Sequence, residues 1–131
     1  MGRTYEPLTP QAKRLKQRLK PCVSYAAWIA ELEEERQDIA GRGFAEEQEL
    51  TARLCGLRRE WEARRRAAAD MISAADRLTS LERRILRLRY LCAEPWEGIC
   101  ARVCRESGPV FTAYRSALNK LAQLQEERLG A

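Results

Sequence analysis

Between Leu81 and Leu121 the chain reads LERRILRLRYLCAEPWEGICARVCRESGPVFTAYRSALNKL, and the spacing of its apolar residues admits few folds. It predicts one helix ending near Cys92, a second opening at Pro95, a short turn over Cys104 to Glu106, and a third helix from about Ser107 past Leu121. Proline suits a first helical position, because its missing N–H is not needed there and its fixed φ is already helical. Trp96, Ile99, Cys100 and Val103 then recur on one helical face. After the turn, Val110, Ala113, Tyr114, Ala117, Leu121 and Leu124 fall on one side of the last helix. Gly108, Thr112, Arg115, Ser116 and Asn119 fall on the other. Two short helices that pack through one face and leave the other face of the second helix free make a helix-turn-helix.

These residues also carry a resemblance. LERRILRLRYL, then PWEGI, then Val110, Ala117, Leu118 and Leu121, resemble the DNA-binding region 4 of bacterial sigma factors. More closely, they are similar to small phage and prophage transcriptional regulators that carry such a module behind a helical N-terminal half. Ile85, Leu88, Arg89, Tyr90, Trp96, Ile99, Val110, Ala117 and Leu118 match best, and Ile99 to Val110 keeps the eleven-residue step of those modules. The likeness covers roughly the last 45 residues well and the first 75 only as a general helical pattern. It implies a recognition helix docked in the major groove of double-stranded DNA, and an ability to bind RNA polymerase.

The chain departs from that pattern at three places. Cys100 stands where a small residue is expected, and Cys104 stands where the turn usually takes Gly. The thiol is compact, but its Cβ makes a left-handed turn less comfortable. The recognition helix opens with Ser107, Gly108 and Pro109 instead of long cations. Those residues cannot make the bidentate arginine-to-guanine contact that is the commonest specific readout.

Charge points to the same segment. Of the 24 Lys and Arg and 19 Asp and Glu, nine basic against four acidic residues lie in 77–120, whereas the counts over 1–40 are seven and six and over 41–76 seven and seven. A local basic excess draws phosphate. With 45% apolar and 33% charged residues in a chain of 131, one folded domain or two small helical units are expected. The five cysteines, Cys22, Cys55, Cys92, Cys100 and Cys104, are odd in number and scattered, which reads as free thiols in a reducing compartment. Without a CxxC pair or any His, zinc is disfavoured and no cofactor is expected. The absence of His, of a glycine-rich phosphate loop and of a GxSxG elbow argues against an enzyme. No long apolar run or signal-peptide pattern occurs, so no membrane partner and a cytoplasmic location are expected.

The N-terminal half reads more simply. Residues 1–9, with Gly2, Pro7 and Thr9-Pro10, suggest an extended arm. Lys13, Arg14, Lys16, Arg18 and Lys20 follow without an acid and stop at Pro21, as either a solvated helix end or a second phosphate-contacting arm. A helix is expected from Cys22 to about Ala40, broken by Gly41-Arg42-Gly43. The longest helix should run from about Ala45 to Ala75 or beyond. Its stripe of Leu50, Leu54, Leu57, Trp61, Ala68, Met71, Ala75 and Leu78 is coiled-coil-like. Such a stripe can close a hairpin within one chain or pair with a second copy, and the thin core favours a homodimer. Arg64, Arg65 and Arg66 spread around that helix and cannot form one stripe. Thr79 or Ser80 should cap the next helix.

The expectation is an all-α chain: a helical-hairpin or coiled-coil-like, dimerising region over 1–78, then a helix-turn-helix domain over 79–131. Arg115 is the leading DNA contact, as the one cation on the free face before Lys120. Thr112, Ser116 and Asn119 would reach bases or phosphates, Ser107 would cap the helix beside Gly108, and Arg102 and Arg105 would flank the turn on the backbone. The function expected is regulation of transcription. Two other readings stay open: a DNA-recognition subunit of a phage packaging machine like the small terminases, and a protein-interaction adaptor that has lost base readout.

Overall fold

A computed structural model describes residues 6–130, and among them the chain is all-α, with five helices and no strand. They are α1 (Pro10–Asp38), α2 (Phe44–Ala74), α3 (Ser80–Tyr90), α4 (Trp96–Val103) and α5 (Ser107–Gly130). Residues 1–5 of the expected arm and Ala131 lie outside the described residues.

The first two helices form an antiparallel pair. Tyr25 donates to Glu60 at 2.5 Å, Arg58 pairs with Glu33, and the Trp61 indole donates to the Cys22 carbonyl at 2.8 Å. Gly41, at φ +81, makes the reversal between them. The part of this pair nearest the turn stands apart from the main core: Ile29, Leu50 and Leu54 are buried there between the two helices alone. Of the coiled-coil-like stripe, Leu50, Leu54 and Ala68 are buried and Leu57, Trp61 and Met71 half-buried, whereas Ala75 and Leu78 lie past the end of α2 and Ile72 is buried in addition.

The other end of α1 belongs to the C-terminal helices. Ala12, Leu15, Leu19 and Cys22 share one core with Ala68 and Ile72 of α2, Ile85, Leu86 and Tyr90 of α3, Ile99 and Val103 of α4, and Val110, Ala117, Leu118 and Leu121 of α5. That core runs across the expected division at 78/79.

Pro21 does not end a helix, contrary to the sequence expectation; α1 runs unbroken from Pro10 to Asp38. A proline inside a helix costs about 3 kcal/mol through its lost N–H and its ring. The four residues Ala12, Leu15, Leu19 and Cys22 that α1 buries around it offset that cost, since a fully buried Leu contributes about 1.5–3 kcal/mol. The Lys13–Lys20 segment is therefore the flank of a core helix and not an arm.

Arginines tie helix ends together. Arg83 of α3 donates to the carbonyls of Ile72 and Ala75 at the end of α2, where the Ile72 carbonyl also takes the Ala75 N–H. Arg65 does the same for Leu91 at the end of α3, at 2.8 Å. Arg64 instead lies over the Tyr25 ring and Arg66 is exposed, so the three consecutive arginines serve three different sides of α2.

Candidate nucleic-acid interface

The segment from Thr79 to Leu124 is built by local signals. Thr79 caps α3 through a reciprocal box, in which its hydroxyl accepts from the Glu82 N–H and Glu82 accepts from the Thr79 N–H. Pro95 stands one place earlier than expected, flanking α4, with its carbonyl taking the Ile99 N–H. Cys104 ends α4 in the left-handed region, at φ 55 and ψ 45, the place where the sequence pattern leads one to expect Gly. Its N–H returns to Ala101, and the Arg105 N–H returns to Cys100. The chain then enters α5 at Ser107, with the Glu106 carbonyl accepting from Val110. Ser107 is thus the first helical residue and not the residue before it, which removes the capping role expected for it.

Val110, Tyr114, Ala117, Leu118 and Leu121 are buried, as the apolar spacing requires, while Trp96 and Phe111 pack at the edge with ring centroids 4.8 Å apart. Tyr90 and Tyr114 share a 2.5 Å hydrogen bond between hydroxyls inside this core. Burial, foremost, pushes both phenols up from their usual range, so neither ionises near neutrality.

The face of α5 opposite the core divides into three. Around the turn, Arg102, Arg105, Ser107 and Thr112 are exposed and Gly108 is half-buried; the Thr112 hydroxyl donates to the Gly108 carbonyl at 3.0 Å. Arg102 faces Glu94 at 3.5 Å, and Arg105 donates to the Val103 carbonyl. These five residues surround the start of α5 as the sequence suggests.

Ser116 and Lys120 form a second group, directed at Glu82. Lys120 reaches Glu82 Oε1 at 2.8 Å, and the Ser116 hydroxyl also hydrogen-bonds that carboxyl, which is only 4% exposed. Burial works against ionisation of Glu82. The hydrogen bonds from Lys120, the Thr79 N–H and Ser116, with the Lys120 charge, outweigh it and hold the carboxyl below its usual range.

The third group faces α1. Asn119 is buried: its Oδ1 accepts from the Thr9 N–H at 2.9 Å and its Nδ2 donates to the Pro7 carbonyl and to Glu6. Arg115 is half-buried and lines a cleft with Pro7, Leu8 and Lys13. The expectation that Asn119, Ser116 and Lys120 lie on a free face is corrected, because partners from the segment before α1 and from α3, distant in sequence, take up their polar groups. Arg115 belongs to the flank of α5 and not to the centre of its open strip.

Sequence reasoning missed Glu82 as a buried hub and missed that Lys13, Lys16 and Lys20 overlook α4 and α5. The capping box was the available signal for Glu82; periodicity holds none for the lysines. Among the described residues no helix is long and apolar enough to cross a membrane. Comparison with family models, curated proteins and solved structures gave no match for this chain.

Proposed function

We propose that the chain is a DNA-binding regulator of transcription in which α4, the Cys104 turn and α5 act as a helix-turn-helix on double-stranded DNA. The observation that carries this reading is the exposed cluster at the start of α5. Arg102 and Arg105 stand on the turn, Thr112 stands one helical turn inside, and the buried face behind them is complete. Two cations beside a helix start suit phosphate, and the Thr112 hydroxyl suits either a phosphate or a base edge. The resemblance to sigma region 4 agrees with this placement and extends it to RNA polymerase as a second partner.

A homodimer fits the remainder. The tip of the α1–α2 pair has the thin core of Ile29, Leu50 and Leu54, yet leaves Trp28 50% and Phe44 76% exposed. Apolar surface of that kind at the end of a two-helix arm is suited to a second copy, and two copies set two recognition helices at a fixed spacing.

The adaptor reading draws on one observation of its own. Between Thr112 and Lys120, α5 has no fully exposed cation, since Lys120 is paired with Glu82 and Arg115 is half-buried toward α1. A salt-dependent titration with duplex DNA from the surrounding genome separates the two. Regulation predicts binding whose log affinity falls by about 0.9 per log salt for each phosphate contacted, with a slope smaller by about 1 in Arg102→Ala or Arg105→Ala. No binding at low salt sinks the DNA reading and leaves the adaptor.

A further inference from the structure

Between α1 and the start of α4 and α5 lie two adjoining cavities of about 180 and 370 Å³, which share Lys16, Trp96 and Tyr114. Their rim and floor differ in chemistry. Lys13, Lys16 and Lys20 form the rim, all exposed, at i, i+3 and i+7 of one helix, so they follow one another over about 10 Å. Among the described residues no carboxylate lines either cavity. The cations Arg14, Arg58, Arg77 and Arg102 each face a glutamate, whereas among the described residues no carboxylate pairs with this lysine row.

The floor is aromatic and fixed. Trp96 carries the Arg89 guanidinium 4.8 Å from its ring centroid, and Phe111 and Tyr114 meet it at 4.8 and 4.6 Å. A simple anion such as sulfate would use the rim and leave the floor idle, and an apolar ligand would do the reverse. A duplex is too broad for clefts of this size, and its bases are already stacked.

We propose that this cleft binds single-stranded nucleic acid, with phosphates along the lysine row and an unpaired base against Trp96, Phe111 and Tyr114. A charged groove that tracks the backbone beside rings that take bases is the physical recipe for sequence-tolerant strand binding. The cleft is distinct from the exposed cluster at the α4–α5 turn, so single-strand binding stands or fails separately from duplex binding. A ligand here would also bridge α1 to α4 and α5, joining the helical pair to the DNA-binding segment.

The test uses the full chain and a labelled short oligo(dT), followed by fluorescence anisotropy and by the indole N–H signals of the three tryptophans. The expected result is binding that moves the Trp96 signal more than those of Trp28 and Trp61. Lys16→Gln with Lys20→Gln, both at exposed positions, should weaken it about tenfold and reduce the salt slope by about 1.4. The same double variant should bind duplex DNA as the unaltered protein does. Competition by thymidine monophosphate would identify a single nucleotide as sufficient; competition by unlabelled oligo(dT) alone would show that a strand is required. The proposal is overturned if neither oligo(dT) nor the nucleotide binds, if Trp96 is unmoved, or if the lysine substitutions weaken duplex and single strand alike.

Discussion

Glu82 shows how one side chain settles the use of several others. It joins the cap of α3 to Lys120 and Ser116 of α5, and so withdraws two polar residues from the face that spacing alone assigns to DNA. Its carboxyl titrates below the ordinary glutamate value of about 4.3, so the ionised form stabilises the fold. That contribution is present above the unfolded value and is lost as pH falls through the folded one. Glu82→Gln keeps the shape and removes the charge, and should cost about 1–3 kcal/mol near pH 7 by urea denaturation. The gap to the unaltered protein should close as the pH is taken below about 4. A penalty that is the same at both pH values would show that the charge is not what matters.

The helices divide into those that local rules determine and those that depend on distant partners. The turn at Cys104, the start of α5 and the buried series Val110, Tyr114, Ala117 and Leu121 were legible, because a helix packing through one face leaves a 3.6-residue record in its own sequence. The cap at Thr79 was legible for the same reason, being a contact across three residues. The continuity of α1 through Pro21 was not, since proline reads locally as a stop and only burial against α2, α3 and α5 reverses that. Nor was the fate of Asn119, whose partner Thr9 is 110 residues away in the chain. A left-handed Cys104 carries strain that glycine would not. The conformation costs an ordinary residue about 1–2 kcal/mol, and glycine gives back about 0.5–1 through its greater freedom when unfolded. Cys104→Gly should therefore stabilise the chain by about 0.5–1 kcal/mol in denaturant titrations, and a loss of stability would show that the thiol supplies more than the turn requires.

Taken together, the five helices form one core at the end where α1, α3, α4 and α5 meet, with the tip of the α1–α2 pair projecting from it. That shape gives separate work to the two ends. The projecting tip should hold a second copy, so light scattering should return twice the 15.1 kDa chain mass. Trp28→Glu with Phe44→Glu should halve it. A mass many times larger would favour a packaging ring instead. At the other end, contact with duplex DNA is expected to centre on the turn and the first half of α5. Mapping backbone amide shifts while duplex DNA is added tests this most directly. The prediction is that shifts concentrate between Arg102 and Ala113, with little change over Gln37–Leu50 at the tip. Shifts confined to the α1–α2 tip, or none at low salt, would contradict it.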